Sequence, residues 1–196
     1  RLQRVPNPCQ YCGQPNPVSG LVCPAFLLNP PRWQKMIAPL QYRGLTRRYL
    51  LQLKFSEAHY LAKTLCDQCL APFQANSPRP QVLIPVPLHR TRLLERGYNQ
   101  AREIAVTFSR AFGIPVDRNA LTRLRATPGQ SGFSAAQRAS NVRHAFAYAP
   151  KREYRHIALV DDIVTTGSTV SEITRTLHRA GVEYVEVWAL ARVYRR

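Results

Sequence analysis

From residue 82 onward, short apolar runs alternate with segments whose apolar positions recur at helical spacing. Residues 82–86, bounded by Pro85 and Pro87, read as a buried strand. The polar stretch 89–98 reads as a loop. Residues 99–112 place Ile104, Ala105, Phe108 and Phe112 on one face of a helix. Short strands are expected at 120–124 and 142–148. Between them, residues 126–133 (ATPGQSGF) carry breakers throughout and read as a mobile loop. Ser134, with Gln137 three residues on, forms a capping box that opens a short helix. A strand at 156–160 is followed by a helix at 168–180, with Val170, Ile173 and Leu177 on one face and Gly181 closing it. A β-branched, alternating strand at 182–191 ends the pattern. Such alternation predicts an α/β domain whose parallel sheet is wrapped by helical crossovers. Ligands of such sheets bind beyond the carboxyl ends of the strands.

The first third of the chain is patterned differently. Residues 1–32 are rich in Pro, Gly, Asn and Cys, lack periodicity, and read as a small loop-rich module that needs a staple. A strand is expected at 37–42, and helices at 45–53 and 57–73 with Ser56 as an N-cap between them. Residues 77–80 read as a linker. The expected division is therefore a knuckle over 1–32 and one larger domain over 33–196, without internal repeats or low-complexity tracts.

Charge adds a second layer. The 196 residues carry a net charge of +17, with 24 Arg against 4 Lys. Residues 1–80 hold 10 basic and 2 acidic side chains, residues 81–150 hold 10 and 3, and residues 151–196 hold 8 and 6. The planar guanidinium fork suits phosphate and carboxylate partners. A polyanionic ligand or nucleic acid is one reading; solvated charge from an Arg-rich composition is the other. There is no run of eighteen apolar residues and no apolar leader, so neither a membrane span nor a signal peptide is expected. A cytoplasmic protein is the simplest expectation.

The most informative segment is 157–169, IALVDDIVTTGST. An apolar run ends in Asp161 and Asp162, and a helix starts after Thr165, Thr166, Gly167, Ser168 and Thr169. A helix N-terminus offers free N–H groups and a positive dipole end, which suits phosphate. Gly167 allows close backbone approach, the neighbouring hydroxyls add donors, and the carboxylates suit a sugar hydroxyl or Mg²⁺. This segment resembles the phosphoribosyl pyrophosphate (PRPP) signature of type I phosphoribosyltransferases.

A second motif, 84–100, releases Leu88, His89, Arg90, Arg92 and Arg96 from a strand end and turns through Gly97, Tyr98, Asn99 and Gln100 into a helix. Cations beside an acidic pair form a candidate pyrophosphate pocket. The motif P-V-P-L-H-R-x-R-x-x-x-R-G-Y-N-Q-A is similar to the ComF/GntX family of phosphoribosyltransferase-like proteins. Tyr42-Arg43-Gly44, Leu53-Lys54-Phe55 and residues 127–146 fit the same family. The resemblance implies a type I phosphoribosyltransferase fold with hood elements in 33–80. It implies PRPP held by its 5′-phosphate at residues 165–169 and by its ribose hydroxyls near Asp161 and Asp162. Mg²⁺-pyrophosphate would lie toward 88–92, supported by Arg96, Asn99 and Gln100, with Gln130 and Ser131 in a flexible hood. The implied chemistry is displacement of pyrophosphate at ribose C1 by an unknown nitrogen acceptor, in an enzyme of the pentosyl-transferring class. No residue is an obvious general base, so positioning and charge stabilisation would dominate. The family also implies a link to DNA uptake or utilisation (competence), with single-stranded DNA or the uptake machinery as a partner. A non-catalytic PRPP sensor or a nucleic-acid accessory protein is the alternative.

Cys9 and Cys12 form a C-x₂-C half-site with Cys23 eleven residues on. The resemblance implies a second C-x₂-C for structural zinc, but Phe26 stands where its last cysteine belongs. Cys66 and Cys69 either complete the site or pack as ordinary buried thiols, the simpler reading. His59, His144, His156 and His178 show no ligand spacing, and Trp33 and Trp188 read as packing aromatics.

Overall fold

A computed structural model describes residues 2–16, 23–28, 30–55, 60–75, 78–126, 140 and 142–194. Its elements are α1 (Pro24–Leu28), β1 (Lys35–Ile37), β2 (Leu40–Gln41), α2 (Gly44–Phe55), α3 (Tyr60–Asp67) and α4 (Ala71–Gln74). There follow β3 (Val82–Pro85), α5 (Arg90–Arg96), α6 (Gln100–Phe112), β4 (Leu121–Arg123) and β5 (Phe146–Tyr148). The chain closes with β6 (His156–Val164), α7 (Ser168–Arg179) and β7 (Tyr184–Arg192).

The main sheet has the order β1-β7-β6-β3, with β2 also paired to β7, and every pair is parallel. The expected α/β architecture with a parallel sheet is what the chain forms. β4 and β5 pair antiparallel as a separate ribbon. Strand alternation sorts the core into two layers. Leu83, Ala158, Val160, Trp188 and Leu190 face α2, α3 and α6 through Leu50, Leu53, Leu65, Ile104 and Phe108. Val82, Ile84, Ile157, Leu159, Val185 and Val187 face α7 through Val170, Ile173 and Leu177. With both faces covered, the central strands carry the near-continuous apolar runs seen in the sequence.

Trp188 anchors the first layer, with ring centroids 5.1, 5.7 and 5.8 Å from Phe73, Phe108 and Phe112. Its indole N–H donates to Glu186 Oε2 at 2.7 Å, and His156 Nε2 lies 2.8 Å from Glu186 Oε1. Glu186 is 1 % exposed, so these partners replace the water that a buried carboxylate loses.

Four expectations change. The 89–98 stretch is not a loop: it contains α5, because Arg-Thr-Arg-Leu-Leu-Glu-Arg are competent helix formers and His89 Nδ1 accepts the Thr91 N–H. The 37–42 strand divides into β1 and β2 around Ala38 and Pro39. The 57–73 helix ends at Asp67 and restarts at Ala71, with Pro72 in the first turn of α4. The strand expected at 156–160 runs on to Val164, carrying Asp161 and Asp162 inside it, because Ile163 and Val164 keep their parallel partners Ala191 and Arg192. The expected hood loop and capping box, with Gln130, Ser131, Ser134 and Gln137, lie outside the described residues, as does Ser56. Among the described residues, no helix is long and apolar enough to cross a membrane.

Glu172 of α7 ties the helix to the turn before β5, accepting the His144 N–H at 2.6 Å and Arg175 Nε–H at 2.9 Å. Burial pushes its carboxyl up, but the Arg175 guanidinium and the His144 N–H outweigh that and hold it below the ordinary glutamate value. A depressed folded-state value means stability that is present above the unfolded pKa and lost as pH falls through the folded one. Glu172→Gln should cost about 1.5 kcal/mol at neutral pH, and the gap should narrow at acidic pH, below the ordinary glutamate value. Urea denaturation at both pH values measures it; a gap of constant size would contradict the assignment.

Candidate anion-binding site

The carboxyl ends of β3 and β6 lie side by side, and the segments leaving them line one cavity of about 170 Å³. From β6 come Asp161, Asp162 and residues 163–170; from the β3 side come Leu88, Arg92, Arg96, Asn99 and Gln100. The two sequence motifs, more than fifty residues apart, thus share one pocket. His89 and Arg90 are not among its walls: His89 caps α5, and Arg90 is exposed. The pocket also takes in Lys54 from α2 and Arg123 from β4.

Local sequence explains much of the placement. Asn99 fastens α6 to β3, donating through Nδ2 to the Val86 carbonyl at 3.0 Å and accepting the Ala101 N–H at 2.9 Å. Arg96 reaches Gln100 Oε1 at 3.3 Å. Between β6 and α7, Gly167 is the N-cap residue with φ 84°, and no side chain caps the helix. Thr166 and Ser168 hydroxyls lie 2.8 Å apart and Ser171 N–H reaches the Gly167 carbonyl, so the first turn is closed from within. An uncapped helix start leaves amides for a ligand. A Cβ at position 167 would come within 2.9 Å of Trp33, so both the backbone angle and the space require glycine.

Of the acidic pair, Asp162 is buried and Asp161 half-buried. Asp162 is 7 % exposed, and its Oδ2 lies 2.9 Å from Lys54 Nζ. Burial and the Asp162 charge push the Asp161 carboxyl well above the ordinary carboxylate range, against the opposing pull of Lys54. Burial pulls the Lys54 ammonium down, but attraction from Asp162, then Asp161 and Tyr42, leaves it raised. Tyr98 holds the end of α2 here by donating its hydroxyl to the Leu53 carbonyl. The pocket thus sets two carboxylates against Lys54, Arg92, Arg96 and Arg123. Such a set suits a ligand bearing both phosphates and hydroxyls. Oxygen donors from Asp161 and Asp162 also suit Mg²⁺, a hard cation that favours one or two carboxylates plus ligand phosphates.

The cysteines form a separate centre. The Sγ atoms of Cys9, Cys12 and Cys23 lie within 4.8 Å of one another, with Cys12 and Cys23 at 3.2 Å. Burial pushes the Cys9 thiol up, but backbone N–H groups of Cys12, Tyr11 and Cys23 outweigh it and leave it lowered. Burial takes the Cys12 thiol up to about 12, opposed by the Gln14 N–H. Sulfurs gathered at this spacing under N–H donors fit a thiophilic divalent ion with three protein ligands. Cys66 and Cys69 are apart from this cluster: both pack in the first core layer, and Cys69 Sγ–H donates to the Leu65 carbonyl at 3.0 Å.

Fold and cavity define an α/β protein with a mixed-charge pocket at the carboxyl edge of a parallel sheet. The chain is 36 % identical over 192 residues to competence protein F of Haemophilus influenzae, covering 94 % of this chain and 84 % of that protein. It is 36 % identical over 189 residues to DNA utilization protein YhgH of Escherichia coli K12, covering 94 % and 83 %. The chain belongs to the family of these two proteins. No family model matches it. Among solved structures it is similar to the glutamine PRPP amidotransferase of B. subtilis complexed with ADP and GMP. That likeness has a TM-score of 0.46 and 22 % identity over 74 % of this chain and 30 % of the other.

The sequence places Lys54 in the family-like stretch Leu53-Lys54-Phe55 without giving it a site role, and Arg123 lies in no motif. The elevated Lys54 value means its pairing stabilises the fold below the ordinary lysine pKa and is lost as pH rises through the folded value. Lys54→Met strands a buried carboxylate and should cost about 3 kcal/mol at neutral pH. Adding Asp162→Asn should recover part of that loss. Chemical denaturation reads both, and a Lys54→Met protein as stable as wild type would refute the pairing.

Proposed function

We propose that this protein binds PRPP in the 170 Å³ cavity and acts as a phosphoribosyltransferase on a nitrogen acceptor. The supporting observation is the convergence of an acidic pair, a glycine-hinged helix start and four cations on one pocket. In this reading residues 165–169 take the 5′-phosphate on backbone N–H groups and hydroxyls. Asp161 and Asp162 accept hydrogen bonds from the ribose hydroxyls. The pyrophosphate lies toward Leu88, Arg92 and Arg96, where Arg123 adds a third guanidinium. Bound Mg²⁺ would supply charge neutralisation between pyrophosphate and carboxylates.

Transfer consists of the acceptor nitrogen attacking ribose C1 while the C1–O bond to pyrophosphate breaks. The departing electron pair stays on the pyrophosphate, whose charge Arg92, Arg96 and Arg123 stabilise. The positive ribosyl centre that develops faces the carboxylates. Lys54, 2.9 Å away, holds the Asp162 carboxylate in position. The hood segment with Gln130 and Ser131 is assigned the exclusion of water from that centre.

The names of the relatives point to DNA utilisation or competence as the setting. A cytoplasmic location agrees with the free thiols of Cys9, Cys12, Cys23, Cys66 and Cys69. The net charge of +17 favours a second role in handling single-stranded nucleic acid.

Calorimetric titration of PRPP with Mg²⁺ should give saturable heat with wild type and at least a tenfold weaker affinity, about 1.4 kcal/mol, with Asp161→Asn. Pyrophosphate release should appear only when the right nitrogen acceptor is supplied. Absence of both heat and thermal shift with wild type would end the PRPP reading.

A further inference from the structure

The cysteine cluster and the phosphate loop are tied together by two buried side chains. Arg192, at the end of β7, donates from Nε to the Cys12 carbonyl at 3.0 Å. The same guanidinium donates from Nη1 to the carbonyls of Val164, at 2.9 Å, and Thr165. Trp33 donates from Nε1 to the Tyr11 carbonyl at 2.6 Å, and the far edge of its ring fills the space beside Gly167. Adjacent carbonyls of the Cys9-x-x-Cys12 turn are therefore each linked to the strand-to-helix turn by one rigid group. Cys12 and Cys23 also share a cavity of about 910 Å³ with Thr166, Gly167 and Ser168.

The linkage bears on the amides that would meet a phosphate. A peptide group is planar, so fixing the Val164 and Thr165 carbonyls also fixes the directions of the Thr165 and Thr166 N–H groups. Trp33 limits where Gly167 can move. A turn closed around a metal holds its Tyr11 and Cys12 carbonyls still; an open turn lets them shift, and Arg192 and Trp33 shift with them.

We propose that loading the Cys9, Cys12 and Cys23 cluster with a thiophilic divalent metal sets the anion affinity of the phosphate loop, with Arg192 and Trp33 as the positioning residues that carry the coupling. The affinity part rests on the PRPP reading above. By linkage, metal and anion raise one another's affinity by the same factor.

The test uses the full chain, Zn²⁺ as the metal and PRPP with Mg²⁺ as the anion. Zinc is removed with a thiol-competitive chelator, then restored. Wild type should bind one zinc per chain, and zinc should tighten PRPP by about tenfold. Zinc should also slow amide hydrogen exchange over residues 164–169. In Trp33→Phe, which loses both the bond to Tyr11 and the ring edge that reaches Gly167, zinc should still bind while both effects shrink to less than about twofold. Arg192→Lys should behave alike, and if it fails to fold, Trp33→Phe decides. Unchanged PRPP affinity and exchange on zinc loading would overturn the proposal, as would failure of wild type to bind zinc or full coupling in Trp33→Phe. Should wild type bind no PRPP in either state, the PRPP reading falls, and the exchange measurement alone decides whether the cluster controls the loop.

Discussion

The parallel pairing of β6 with β7 holds the molecule's chemistry in place. Its register runs from His156↔Tyr184 to Val164↔Arg192, and each end of that ladder carries a polar device. At one end, His156 and Glu186 meet across the strands. At the other, Asp161 and Asp162 lead into Val164, whose carbonyl accepts from the Arg192 guanidinium. A slip of one residue would move Trp188 out of its aromatic cluster and turn the apolar side chains to the wrong layer. The core packing thus fixes the register, and the register fixes where the carboxylates emerge.

The pocket at that edge gathers opposite charges in a partly desolvated space. A buried carboxylate is costly alone, and Lys54 offsets the cost from a helix on one side of the sheet. The regional charge count places the basic excess outside residues 151–196, yet the fold returns part of it to the acidic pair through Lys54, Arg92, Arg96 and Arg123. The overall charge of the chain and the charge of its pocket are separate quantities.

Much of this was legible in the chain because it is local. The 157–169 segment holds carboxylates, glycine and hydroxyls in one stretch, so strand, turn and helix start follow from neighbouring residues. The apolar faces of α6 and α7 followed from period alone. Lys54 was illegible as a site residue because a lysine in the last turn of a helix is ordinary there, where it favours the dipole. Arg123 sits in a three-residue strand with no pattern of its own. Cys66 and Cys69 repeat the spacing of Cys9 and Cys12, yet one pair packs in the core and the other meets Cys23. Spacing describes how ligands are offered, while only the long-range fold decides which ones meet. The continuation of β6 past its acidic pair was hidden for a similar reason: two charges interrupt the apolar run, and only the partner strand shows that pairing resumes.

The chain has two tryptophans, and the fold gives them different surroundings. Trp188 is sealed among Phe73, Phe108 and Phe112, whereas Trp33 presses its ring edge against Gly167 in the turn between β6 and α7. The protein therefore carries two built-in optical reporters. Emission from Trp188 follows the integrity of the core, and emission from Trp33 follows the local environment of the turn around Gly167. Replacing one indole leaves the other to be read by itself, without attaching any dye.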